Sequence, residues 1–127
     1  MHFTLKAKFQ ASPSSLYNAW LSSSEHTKMT GGEAVIGQKV GDKFTAWDGY
    51  ITGTNLELKP FNKIVQSWRT SDFDQSDEDS LLELEFEEQA GGTTLILKHS
   101  NLSKEGERYI QGWEENYFEP MALYFGR

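Results

Sequence analysis

Apolar and polar residues alternate at the start of the chain, with an apolar side chain at every second position from 3 to 9. This period of two predicts a strand with one buried face. The period then changes, because apolar residues in 16–21 recur at helical spacing, and Ser12 followed by Pro13 is typical of a helix start. A second short helix is predicted at 25–29, and it would end at the glycine pair Gly31-Gly32 that follows.

The middle of the chain, from 33 to 100, has the pattern of consecutive strands separated by turn residues. Glycine, proline, aspartate and asparagine cluster at the breaks, as tight turns require. Consecutive strands with short connections imply an antiparallel meander. The predicted strands cover 33–36, 43–47, 49–58, 63–70, 81–88 and 93–99.

The last segment, 104–125, is predicted to be one long helix that begins at Ser103 as its N-cap. Two residues disfavour a regular helix here. Gly112 reduces helix stability by about 1 kcal/mol in a helix interior, and Pro120 by about 3 kcal/mol. We therefore expect a bend at 116–120. The apolar stripe of this helix is rich in rings and consists of Ile110, Trp113, Tyr117, Met121 and Phe125.

These patterns predict the α+β class. A curved antiparallel sheet of about six to seven strands would wrap around the long C-terminal helix, with two short helices after the first strand. A chain of 127 residues fits a single domain over 1–127. We find no internal repeat, low-complexity tract or linker.

Charge and composition narrow the function classes. The net charge of -7 argues against binding to nucleic acid or to an anionic membrane surface. Cysteine is absent, so a disulfide, a thiolate nucleophile and a cysteine-based zinc site are excluded. The sequence has neither a signal peptide pattern nor a long apolar segment, and we expect a cytoplasmic protein.

A catalytic set is not evident. His2, His26 and His99 fall in three separate elements without metal-ligand spacing, and His99 is interpreted as a structural histidine. The acidic segment 72–79 lacks the ligand spacing of an EF-hand and is interpreted as a solvated loop. We expect no enzyme, no cofactor and no metal. The side chains that an enzyme would use are Tyr50, Arg69, His99 and Tyr117.

Large rings from the first helix, the strands and the last helix stand out, and two interpretations stay open. They could simply fill the core, or they could line an apolar cavity between sheet and helix, with tyrosine O–H and tryptophan N–H groups as polar handles. The candidate cavity residues are Tyr17, Trp20, Phe44, Trp47, Tyr50, Trp68, Trp113, Tyr117 and Met121.

Several segments resemble the activator of heat-shock protein 90 ATPase homologue family. The strand-turn-strand residues at 49–53, 58–60 and 64–69, the Gly-Trp and Tyr-Phe pairs within 111–119, and the helix start at 12–17 are similar to that family. The match covers nearly the whole chain. It implies the helix-grip fold of the START-like (SRPBCC) superfamily, in strand-helix-helix-strands-helix order.

The resemblance also implies two kinds of binding. In eukaryotic co-chaperones this domain is the C-terminal half and contacts the chaperone's nucleotide-binding domain, and the N-terminal partner domain has no counterpart here. We therefore expect a non-enzymatic, co-chaperone-like monomer that contacts a heat-shock protein 90 type chaperone in chaperone regulation or stress response. The alternative, implied by the wider superfamily, is a carrier or sensor of a small apolar ligand, of the lipid or polyketide kind.

Overall fold

Seven antiparallel strands form one curved sheet in the computed structural model, which describes residues 1–126. The sheet order is β1-β7-β6-β5-β4-β3-β2, so β2 to β7 form the predicted meander and β1 pairs with β7. All the predicted strands are confirmed, with ends that differ by at most two residues. The strands are β1 Phe3–Phe9, β2 Val35–Ile36, β3 Lys43–Ala46, β4 Ile51–Lys59, β5 Lys63–Thr70, β6 Ser80–Gln89 and β7 Gly92–Ser100.

The two short helices after β1 are confirmed as α1, Pro13–Leu21, and α2, Ser23–Thr30. The hydroxyl of Ser12 accepts from the backbone N–H of Ser15 at 3.1 Å, which caps α1 as predicted. Serine also caps α2, which begins two residues earlier than expected. The glycine that ends α2 has a φ of 90°, the left-handed conformation that only glycine adopts at little cost.

The C-terminal helix is built from four segments. A 3₁₀ turn at Lys104–Glu107 leads into α3, Arg108–Trp113; a π-helical turn at Glu114–Phe118 follows; and α4 covers Glu119–Phe125. Ser103 holds the N-cap position, but its side chain makes no capping hydrogen bond. The predicted N-cap position is therefore confirmed, and the first turn is closed by the backbone carbonyl of Ser103, which accepts from the Gly106 N–H at 2.9 Å.

Pro120 explains the π-helical turn. It lies in the first turn of α4, where a missing N–H costs least. Just before it, the N–H of Glu119 donates to the carbonyl of Glu114, five residues back rather than four. The regular α-helical ladder is therefore interrupted near Pro120, as the sequence predicts.

The core lies between the concave face of the sheet and the helices. Along β6, Leu82, Leu84 and Phe86 are buried while the intervening glutamates are half-buried or exposed. Those glutamates meet lysines of the neighbouring strands, as in the 2.8 Å contact of Lys98 with Glu85. Among residues 1–126 no helix is long and apolar enough to cross a lipid bilayer.

Candidate functional site

A pocket of about 350 Å³ opens between α3, the π-helical turn and the sheet near the start of β4. Six of its ten described lining residues carry aromatic rings, so its walls are mainly apolar. Pockets of this size bind small molecules in many proteins. The lining residues are Trp47, Tyr50, Ile51, Trp68, Arg108, Tyr109, Gly112, Trp113, Asn116 and Tyr117.

Five of the nine candidate cavity residues line this pocket: Trp47, Tyr50, Trp68, Trp113 and Tyr117. They come from the β3–β4 turn, from β5 and from the C-terminal helix. Trp68, Trp113 and Tyr117 border the pocket and are also buried in the core, so both interpretations of the aromatic residues stay open.

The other four candidates lie elsewhere. Trp20 is buried behind the pocket wall, where its ring stacks on Trp113 at 6.2 Å. Phe44 covers Gly53, whose missing side chain leaves room for the ring. Met121 is fully buried one turn beyond Tyr117. Tyr17 packs edge-on against Phe61 and Phe86 and borders a separate surface depression.

The sequence analysis missed Ile51, Arg108, Tyr109, Gly112 and Asn116 as pocket residues. Arg108, Gly112 and Asn116 recur every four residues and form one row along the helix, beside the aromatic row of Tyr109, Trp113 and Tyr117. The regular spacing was a usable signal. It does not indicate a pocket by itself, because a polar row beside an apolar stripe normally faces only solvent.

Gly112 has no structural need to be glycine. It lies within α3, and a Cβ added there would meet nothing closer than Asn116 Nδ2 at 4.0 Å. Glycine in a helix interior costs about 1 kcal/mol relative to alanine. The chain thus carries a residue of low helix propensity at a position that lines the pocket.

Trp47 forms a strained wall of the pocket. It has a φ of 51° and is followed by Asp48 at 59° and Gly49 at 88°, three consecutive residues in the left-handed region. Its indole N–H is buried and has no hydrogen-bond partner among the described residues. Backbone strain and an unpaired buried donor each cost about 1–3 kcal/mol, and such costs cluster at functional sites.

Polar groups gather at the mouth of the pocket. The Tyr50 hydroxyl donates to Asp72 Oδ2 at 2.7 Å, and Arg108 Nη1 lies 3.6 Å from the same oxygen. Burial, with the Asp72 hydrogen bond as a second cause, raises the pKa of Tyr50 to about 12. Arg108 is the one charged side chain among the ten lining residues that the structure describes.

His99 holds Trp113 from behind. The indole N–H of Trp113 donates to His99 Nδ1 at 3.0 Å, and His99 Nε2–H donates to Ser80 Oγ at 2.8 Å. Ser80 in turn donates to the Trp68 carbonyl at 2.6 Å. Both ring nitrogens are used by a neutral imidazole, and burial lowers the pKa of His99 to about 3. His99 is therefore a satisfied structural histidine.

His26 holds Tyr117 in a similar way. His26 Nδ1–H donates to the Trp20 carbonyl at 2.8 Å, which leaves Nε2 to accept from the Tyr117 hydroxyl at 2.9 Å. Burial lowers the pKa of His26 to about 4, against a smaller opposite effect of the Trp20 hydrogen bond. Two buried neutral histidines thus fix two successive rings of the pocket wall.

The four side chains considered for an enzyme do not meet. Tyr50 and Tyr117 line the pocket, but His99 lies behind it, where both of its ring nitrogens are hydrogen-bonded. Arg69 instead organises the acidic loop, donating to the carbonyls of Asp74 and Asp77 and to the Asp79 carboxylate. Within residues 1–126, His, Asp and Glu side chains form no group of three close enough to hold a metal ion.

The sheet, the gripped C-terminal helix and the pocket between them define a helix-grip domain of the START-like class. The model of the family described as Activator of Hsp90 ATPase homolog 1-like protein matches residues 10–126. The chain belongs to that family, as the resemblance of its motifs implies.

Individual relatives support the same family assignment. The human Activator of 90 kDa heat shock protein ATPase homolog 1 is 31% identical over 124 residues, which are 97% of this chain and 36% of the human protein. The chain thus spans about a third of the length of the curated relatives it matches. The crystal structure of an HSP90 activator from Plasmodium falciparum has a TM-score of 0.89 at 28% identity and covers 98% of this chain and 95% of that one.

A more distant structure shares the fold alone. The solution structure of the Aha1 dimer from Colwellia psychrerythraea has a TM-score of 0.81 at 16% identity, covering 100% of this chain and 98% of that one.

Proposed function

We propose that this chain works by binding rather than catalysis, as a domain that contacts an HSP90-type chaperone and modulates its ATPase. The observation that carries the proposal is the 31% identity to the human ATPase activator over 97% of this chain. A role in chaperone regulation or stress response, in the cytoplasm, follows from this proposal.

The similarity to the Plasmodium falciparum activator supports the same proposal, because that protein is matched over 95% of its chain. Our chain thus matches nearly the whole of the crystallised activator. The exposed surface of our chain also carries apolar side chains that a partner could cover, with Leu123 on α4 at 89% exposure. The net charge of -7 would chiefly set the rate of association.

The test is the ATPase turnover of a purified HSP90-type chaperone from the same organism, titrated with this protein. We expect a saturable change in rate and a complex in gel filtration. An inhibitor of the chaperone's nucleotide site gives the background rate. The same chromatography reports whether the 14.5 kDa chain is the monomer that we propose. An unchanged rate with no complex would contradict the proposal.

A second candidate function is the binding of a small apolar ligand in the aromatic pocket. Gly112 favours it, since a glycine that weakens the helix and widens the pocket has no structural explanation. The strained wall at Trp47 points the same way. Titration with apolar molecules, followed by tryptophan fluorescence, tests this candidate, because Trp47, Trp68 and Trp113 all line the pocket.

A further inference from the structure

We propose that the pocket takes a planar aromatic acid, with its rings among Trp47, Trp68 and Trp113 and its acidic group on the Arg108 guanidinium. This inference rests on the second candidate function, the binding of a small molecule in the pocket. It adds the charge, the shape and the orientation of that molecule.

The shape follows from the walls. Trp68 lies 5.6 Å from Trp113 and 5.0 Å from Tyr109 between ring centres, and Trp113 lies 4.7 Å from Tyr117. Closely spaced rings present flat and edge surfaces on which another ring packs favourably. A volume of about 350 Å³ is at the small end of ligand pockets and fits a molecule of two or three rings.

The charge follows from Arg108. The guanidinium forms an ion pair with Asp72 at 3.6 Å and lies over the Tyr109 ring at 5.6 Å, but it donates no hydrogen bond to the described residues. Asp72 meanwhile accepts from Tyr50. Arg108 therefore keeps its planar set of donors for a carboxylate or sulfonate, which a guanidinium binds in a bidentate manner.

The orientation follows from the helix row. Arg108, Gly112 and Asn116 are one turn apart on the pocket side of the helix, so the row is about 12 Å long at 1.5 Å per residue. The open space at Gly112 lies between the charge of Arg108 and the amide of Asn116. An aromatic acid of this length would pass its rings over Gly112 and leave its far end beside Asn116.

Two fluorescent probes separate the acid from the rings. 8-Anilinonaphthalene-1-sulfonate and N-phenyl-1-naphthylamine have the same ring system, and the first carries an additional sulfonate. We expect the native protein to bind the sulfonate at least about 10-fold more tightly, the size of one charge-assisted hydrogen bond. Arg108→Gln should remove that preference and leave the affinity for the uncharged probe within about twofold.

Control variants identify the site. Lys59→Gln removes one positive charge at the far end of β4, roughly 26 Å from Ile51, and should change neither affinity. Gly112→Leu should weaken both probes by filling the pocket. Gly112→Ala, which fits the backbone without a clash, should weaken both to a lesser extent and covers the case in which leucine disturbs folding.

The outcomes distinguish the two proposals. Equal affinity for both probes, unchanged in Arg108→Gln but reduced in the Gly112 variants, would overturn the aromatic acid and keep an apolar ligand pocket. Failure to bind either probe, or binding that is unaffected by both Gly112 variants, would overturn ligand binding in the pocket altogether.

Discussion

The indole N–H of Trp113 donates across 3.0 Å to Nδ1 of His99, and this bond ties the C-terminal helix to the last strand of the sheet. It requires a neutral histidine, because a proton on Nδ1 would face another donor. The Ser80 hydroxyl occupies the other nitrogen. The grip of the sheet on the helix is therefore linked to the protonation of a buried residue.

Acid should weaken the fold as the pH falls below 6.5. The folded pKa values of His26 and His99, about 4 and about 3, lie below the unfolded value of 6.5. The unfolded chain thus binds protons first, and the stability that is full above pH 6.5 is lost as the pH falls toward 3 to 4. Each histidine loses about 1.4 kcal/mol per pH unit, so the pair should lose about 2.5 kcal/mol between pH 7 and 5.5.

Denaturant titrations at the two pH values measure this loss. His2 is exposed and provides a matched control, since His2→Gln should keep the full pH dependence. His99→Gln should flatten it by about half, whatever it does to stability at pH 7. A free energy of unfolding that is the same at pH 7 and 5.5 would disprove the linkage.

The helix after the π-helical turn offers a second prediction. Met121 is 1% exposed and Leu123, two residues further along, is 89% exposed. Met121→Ala should lower the free energy of unfolding by about 2–5 kcal/mol because it leaves a cavity. Leu123→Ala should change it by less than about 0.5 kcal/mol. Equal effects in thermal or denaturant unfolding would mean that α4 does not bury Met121 and expose Leu123.

Two glycine substitutions should have opposite signs. Gly112→Ala should stabilise the protein by about 1 kcal/mol, since the methyl group meets no close neighbour. Gly53→Ala should destabilise it strongly, because the new Cβ would lie 1.9 Å from the Ser67 carbonyl oxygen and 2.6 Å from the Phe44 ring. Unfolding curves of both variants measure the difference, and a destabilised Gly112→Ala would remove the main argument for a pocket kept open at some cost.

Local patterns were sufficient to predict the fold. Strict alternation along β6 and the turn residues between strands predicted the meander. A sheet with one buried face requires apolar residues at every second position of its strands, and this pattern is visible in the sequence. Pro120 predicted the interruption of the last helix, since its missing N–H is a local property. The form of that interruption, a π-helical turn, depends on packing and was not predictable.

The pocket was only partly predictable, for reasons that lie beyond local patterns. Trp20 and Trp113 both lie on the apolar face of a predicted helix, yet Trp20 lies behind the wall and Trp113 forms it. Met121 follows Tyr117 at helical spacing, yet it lies in the core beyond the π-helical turn and not in the pocket wall. The left-handed conformation of Trp47 could not be predicted, because a bulky residue such as tryptophan rarely adopts a positive φ.

The proposed chaperone contact is tested by the ATPase turnover of an HSP90-type chaperone with and without this protein, with Gly112→Leu measured in parallel. We predict a saturable change in rate for both forms, because chaperone contact by the outer surface does not need the pocket. A turnover that the native protein leaves unchanged at saturating concentration would contradict a role in modulating the chaperone's ATPase.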